Sequence, residues 1–136
     1  MKKKLLILSI AIMALLVPTC EDSDKLITKT DNPETVIIGY GFNNYVAYIT
    51  DKSTILELSN NVKHLTIFPT EEEIDAETRI NITFYKDGQI VKVIYLDKNG
   101  IMRFNDKEGN FKADDSLNYD NLYEIYKFYM KSTLYQ

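Results

Sequence analysis

Ile80-Asn81-Ile82-Thr83-Phe84-Tyr85-Lys86-Asp87-Gly88-Gln89-Ile90-Val91-Lys92-Val93-Ile94-Tyr95 reads as two strands and the turn between them. Ile80, Ile82 and Phe84 alternate with Asn81, Thr83 and Tyr85, the period of a strand with two unlike faces. Asp87-Gly88 is the strongest short hairpin signal, because both central residues of a type I′ turn need positive φ. A two-residue turn there predicts Phe84 opposite Val91, Ile82 opposite Val93 and Ile80 opposite Tyr95, with all six on one face. Asn81, Thr83, Tyr85, Lys92 and Arg103 fall on the other face, together with Ile90, Ile94 and Leu96. That second face is too apolar to be wholly solvated, so a helix, other strands or a partner is expected to cover part of it.

Working outward, Asn99-Gly100 predicts a second hairpin, with Tyr95 opposite Phe104 and Asp97 opposite Met102. A third turn near Glu108-Gly109 leads to Phe111, giving a meander of about four strands. Asp114-Asp115-Ser116 opens a C-terminal helix, with acids favourable at its positive end. Leu122, Ile125, Tyr126 and Tyr129 lie at i, i+3, i+4 and i+7, one apolar stripe.

Upstream, Val36-Ile37-Ile38 and Tyr45-Val46-Ala47-Tyr48-Ile49 are either two strands joined at Gly41 to Asn44 or one long bent strand. Asp51 to Val62 is read as a helix, capped by Asp51 or Ser53 and ending at Asn60-Asn61. His64 to Phe68 is read as a strand that Pro69 stops. Thr70 to Thr78 is an acidic loop. The fold class expected is α+β: an antiparallel meander sheet of five to six strands, a C-terminal helix and one further short helix.

The N-terminus carries a different kind of signal. Met1-Lys2-Lys3-Lys4 is a basic stretch, Leu5 to Val17 is apolar or small throughout, and Val17-Pro18-Thr19-Cys20 closes it. The apolar run falls short of the 20 or so residues a spanning helix needs, and its length suits a secretory leader. It resembles the signal peptide and lipobox of bacterial lipoproteins, in which the cysteine takes the lipid. Val17 matches that motif, whereas Thr19 stands where such proteins usually have Gly, Ala or Ser. Cys20 is the sole cysteine, so it has no internal disulfide partner. The organisation expected is a signal peptide over 1–19, a polar spacer over 20–34 and one domain over 35–136. Localisation is expected to be exported and lipid-anchored at the cell envelope.

Cutting before Cys20 removes three of the 16 basic side chains and none of the 20 acids, leaving a net charge of −7. That balance argues against nucleic acid as a partner. It also leaves the tether, not surface charge, to hold the domain at the membrane. Lys86-Asp87-Gly88, Asp97-Lys98-Asn99-Gly100 and Asp106-Lys107-Glu108-Gly109 lack the ligand spacing of a calcium loop and read as turns. His64 is the one histidine, which makes a transition-metal site or a catalytic triad unsupported. No metal, no cofactor and no enzymatic activity are expected. The ten tyrosines are the remaining signal. Tyr40, Tyr45, Tyr48, Tyr123 and Tyr126 form a candidate contact patch, since tyrosine is enriched at binding hot spots. The competing reading is that they line the core of a chain without tryptophan.

Taken together, the leader, Cys20, the spacer, the Tyr85-Lys86-Asp87-Gly88-Gln89 turn and the closing Leu122-Tyr123-Glu124-Ile125-Tyr126 helix resemble the small bacterial lipoproteins of unknown function. The resemblance implies a small α+β domain and brings no catalytic residues with it. Two roles are expected from these readings. The first is a non-catalytic binding module at the envelope, meeting a protein or glycan. The alternative is a small-ligand carrier or sensor with a pocket between sheet and helix.

Overall fold

The computed structural model describes residues 32–134; the expected leader, Cys20 and the expected spacer up to Asp31 lie outside the described residues. The Asp87-Gly88 turn forms as its chemistry demands. Both residues have positive φ, 51° and 73°, and Lys86 pairs with Gln89 and Tyr85 with Ile90 across it. The strands it joins are β4 (Ile80–Lys86) and β5 (Gln89–Leu96).

Beyond Tyr85 the predicted register is corrected. The ladder shifts between Phe84 and Tyr85, so Phe84 faces Lys92, Ile82 faces Ile94 and Ile80 faces Leu96. Val91 is the additional residue of a β-bulge. One added residue sends every later side chain to the opposite face. Ile94 and Leu96 therefore enter the core, buried beside Ile80, Ile82 and Phe84. Val93 and Tyr95, expected inside, lie half-buried on the outer face. The bulge resolves the excess of apolar residues on the second face, because the helices end up over Ile94 and Leu96. It also carries Lys92 inward, 3 % exposed, where its ammonium pairs with Asp106. Truncating Asp106 to alanine leaves that buried charge alone and is expected to cost about 2 kcal/mol in chemical denaturation, whereas Lys92→Met is expected to be neutral or stabilising.

The second hairpin is also one residue longer than expected. Asp97 N–H donates to Ile101 O at 3.0 Å, and Lys98-Asn99-Gly100 forms the loop, Gly100 taking φ 81°. Tyr95 thus faces Arg103 and Leu96 faces Met102 in β6 (Ile101–Phe104). Phe104 still reaches the core face, opposite Ile94. The third turn sits at Asn105-Asp106, and Gly109, expected in the turn, lies within β7 (Lys107–Ala113).

Of the two readings of 35–49, the two-strand one holds: β1 (Thr35–Tyr40) and β2 (Val46–Ile49). The strand expected from His64 begins later. His64 is the C-cap of α1 (Lys52–Lys63), which runs through Asn60 and Asn61, and β3 (Ile67–Thr70) contains Pro69. Proline is tolerated there because β3 is an edge strand, paired with β7 alone. The result is an antiparallel sheet of seven strands in the order β2-β1-β4-β5-β6-β7-β3, larger than the five to six expected within the same α+β class.

Both helices contribute to one hydrophobic cluster with the inner face of the sheet: Ile55, Leu58 and Val62 from α1, Leu122 and Tyr126 from α2 (Tyr119–Leu134). Thr54 Oγ1 and Tyr129 Oη lie 2.9 Å apart and link the two helices. α2 starts later than Asp114-Asp115-Ser116 predicts. Asn118 caps it, accepting from Asn121 N–H at 3.0 Å, while Asp114 closes the preceding turn on Ser116 N–H at 3.2 Å.

Asp51 caps α1. Its Oδ2 accepts from Thr54 N–H at 2.9 Å and from the Ser53 and Thr54 hydroxyls at 2.6 and 2.7 Å. The Ser53 hydroxyl bond, then those to Thr54, hold its carboxyl at about 2. A carboxylate with a depressed folded value stabilises above the unfolded value and loses that contribution as pH falls. Stability is therefore expected to decline between about pH 4 and pH 2 in the native chain, and part of that decline is expected to vanish in Asp51→Asn, as followed by thermal melts across that window.

Candidate contact site

The segment 71–79 must cross from the β3 edge to central β4, and it does so over the outer face and one end of the sheet. Lys112 and Arg103 receive its acids: Lys112 Nζ lies 2.6 Å from Glu72 Oε1 and Arg103 Nη2 3.7 Å from Glu73 Oε2. Asn110 Nδ2 donates to Glu72 O at 3.0 Å. Asp75 N–H donates to the buried Asp97 Oδ2 at 2.8 Å, and Arg79 rests over the Tyr95 ring at 5.0 Å. The acidic loop is thus pinned by its own sheet. Among the described residues no group of three or more His, Cys, Asp and Glu could hold a metal ion.

That crossing also anchors the tip of the β1–β2 hairpin. Gly41 N–H donates to Arg79 O at 2.7 Å. Gly41 has φ 51°, and a Cβ on it would lie 2.6 Å from Glu77 O. Asn43 N–H donates to Tyr40 O at 3.0 Å, and Asn43 Oδ1 accepts from Tyr45 N–H at 3.1 Å, an Asx-type turn. On this fixed frame stand four exposed large apolar side chains: Phe42 at 77 %, Tyr45 at 56 %, Val46 at 48 % and Tyr48 at 52 % exposed.

The five tyrosines of the sequence patch do not form one surface. Tyr45 is exposed at the tip. Tyr48 alternates with the buried Ala47 and Ile49, which puts it on the outer face of the sheet with Val46. Tyr40 and Tyr123 are half-buried behind the tip, their ring centroids 5.0 Å apart. Tyr126 is buried at 2 % exposure, because it shares the inward helix stripe with Leu122, four residues before it. A buried ring cannot touch a partner. Tyr126 acts from beneath instead, its hydroxyl donating to Tyr45 O at 3.2 Å. Tyr119 extends the ring cluster toward Tyr123 and donates to Thr78 O at 2.6 Å. Burial first, then the neighbouring tyrosines, push the Tyr119 and Tyr126 hydroxyls above the ordinary phenol range. Both therefore remain protonated donors at physiological pH and hold the backbone of the tip and the crossing.

Phe42 and Val46 are the members that sequence reasoning missed. The signal for Phe42 is a large apolar residue set among turn formers, Gly41-Phe42-Asn43-Asn44. His64, the other singled-out side chain, is exposed at the end of α1, remote in role from the tip. No helix among the described residues is long and apolar enough to cross a membrane.

No protein-family model, curated protein or solved structure matches the chain. The geometry of the tip therefore carries the functional reading. Its polarity along the fold is the relevant feature. Glu34 N–H donates to Tyr85 O at 2.8 Å where the described chain begins, and β1 then runs six residues to Tyr40. At about 3.3 Å per residue, the tip lies about 20 Å beyond the root of the domain.

Proposed function

We propose that the protein is a membrane-tethered, extracytoplasmic lipoprotein, anchored through lipid on Cys20, whose domain is a non-catalytic module that engages an envelope protein or glycan. The carrying observation is that Phe42, Tyr45, Val46 and Tyr48 stand exposed on one hairpin at the end of β1 opposite the root. Isolated exposed apolar residues are ordinary, but a run of four on one short hairpin is the composition of a contact site. Tyrosine and phenylalanine suit both candidate partners. Their rings offer apolar area with few rotatable bonds, and the tyrosine hydroxyl adds a hydrogen bond. The hydrogen bonds that Arg79 O and Asn43 Oδ1 accept and the one that Tyr126 donates fix the backbone of the tip in advance, which lowers the entropy lost on binding.

The test is a triple variant, Phe42→Ser, Tyr45→Ser and Tyr48→Ser. These side chains contribute little to the core, so the melting temperature is expected to stay within a few degrees. Capture of partner from intact cells is expected to fall at least tenfold, the loss of one hot-spot residue being enough for that. Undiminished capture by a folded variant contradicts the proposal.

A further inference from the structure

The opposite end of the domain carries a second surface of different chemistry. A groove of about 450 Å³ lies between α1 and the first described residues. Pro33, Ile55 and Leu56 give it an apolar lining, and Leu56 is 59 % exposed. Lys52, Lys63 and Lys86 line it as well, with one acid, Glu34, among the described lining residues. Glu34 keeps its charge while accepting from Asp87 N–H at 3.4 Å, and Lys86 is itself engaged within the domain, so Lys52 and Lys63 are the lysines offered to a ligand. In a chain with 20 acids and 16 bases, three lysines around exposed leucine are a local reversal of charge.

We infer that this groove docks onto an anionic phospholipid surface, its lysines meeting headgroup phosphates and Leu56 entering the acyl boundary. Two observations choose this occupant. The first is charge complementarity: apolar floor and basic rim match the layered chemistry of a bilayer interface. The second is position. Asn32, Pro33 and Glu34, the first described residues, themselves line the groove, and only the eleven residues 21–31 separate them from Cys20. At no more than about 3.5 Å per residue, that length keeps the groove within about 40 Å of the anchor. The inference rests on the tethered reading above and adds an orientation to it. The domain stands root down, with Phe42 and Tyr45 directed away from the membrane.

The test is amide hydrogen exchange on the full-length chain, isolated from membranes and reconstituted into vesicles of pure phosphatidylcholine or with about one third phosphatidylglycerol. Amides of α1 are expected to exchange about fivefold more slowly or better on the anionic vesicles, with no change at 41–48. Lys52→Glu with Lys63→Gln is expected to abolish the difference. Glutamate in the first turn of a helix is electrostatically favourable, so this variant is expected to fold. Leu56→Ser, at an exposed site, is the second variant and is expected to halve the effect or more. Equal exchange on both vesicles overturns the inference. Slowing on both compositions marks apolar contact without headgroup recognition, and slowing by inorganic phosphate on phosphatidylcholine marks a free-anion site; either overturns it too. The mass of the mature N-terminus, read on the same sample, reports the lipid on Cys20 separately, so loss of the tether and loss of the docking are distinguishable.

Discussion

Asp97→Ala is expected to lower the unfolding free energy by about 3 kcal/mol. Asp97 is fully buried and gathers three backbone donors. Asn99 and Ile101 N–H both reach its Oδ1 at 2.9 Å, and Asp75 N–H reaches Oδ2 at 2.8 Å. Alanine leaves all three without that acceptor, and each hydrogen bond to a charged group contributes on the order of 1–3 kcal/mol. The change also releases the 71–79 crossing from the β5–β6 loop. Urea unfolding is the appropriate measurement, with a lower midpoint and an unchanged slope expected. Asp97→Asn keeps one carbonyl oxygen and is expected to fall between alanine and the native chain. A loss under about 1 kcal/mol for alanine would mean that water replaces the carboxylate.

Gly41→Ala is the second large effect. A left-handed backbone costs a non-glycine residue about 1–2 kcal/mol by itself. At Gly41 the added methyl would also lie 2.6 Å from Glu77 O, which is backbone and cannot swing aside. The expected total is about 3 kcal/mol, or a melting temperature lower by on the order of 10 °C for a domain of this size. Gly100 provides the control. It has φ 81°, but a methyl added there would meet nothing within 4 Å, so its alanine variant is expected to cost only about 1–2 kcal/mol. Equal losses at the two glycines would mean that the hairpin tip is not held against the crossing.

Asp87-Gly88 is legible in the sequence because a type I′ turn is decided by two residues and their own φ angles. Asp51 is legible as a cap for the same local reason. The register beyond the turn is not. The choice between Val93 and Tyr95 inward and Ile94 and Leu96 inward depends on which set the helices cover, and α1 and α2 come from segments remote in sequence. One bulge at Val91 settles that choice and no local signal marks it. Pro69 misleads because a proline forbids a central strand and permits an edge, and edge status is a property of the whole sheet. Asp97 reads locally as one more turn residue. Its role as collector of N–H groups depends on Asp75, 22 residues away.

The contact site is half legible. An excess of tyrosine is visible in the sequence, but its partition is only partly so. Tyr126 sits on the same stripe as Leu122 and is marked as inward by its helical spacing, so its place in the core follows from the helix itself. Tyr45 and Tyr48 read as strand residues; Tyr45 instead precedes β2 at the exposed tip, and Tyr48 is exposed because it alternates with the buried Ala47 and Ile49 onto the outer face. Phe42 escapes a sequence reading because a turn is expected to be polar.

If the β1–β2 tip is the surface that meets a partner, a probe placed there must find it. The most direct measurement is site-specific photocrosslinking in intact cells, with the photoreactive residue placed at Phe42 or Tyr45 and, as a control, at Phe128, which is 69 % exposed on α2. One reproducible adduct is expected from both tip positions and none from Phe128. Adducts from Phe128 alone, or none from the tip in a correctly folded and exported chain, would contradict the assignment of the tip as the contact surface.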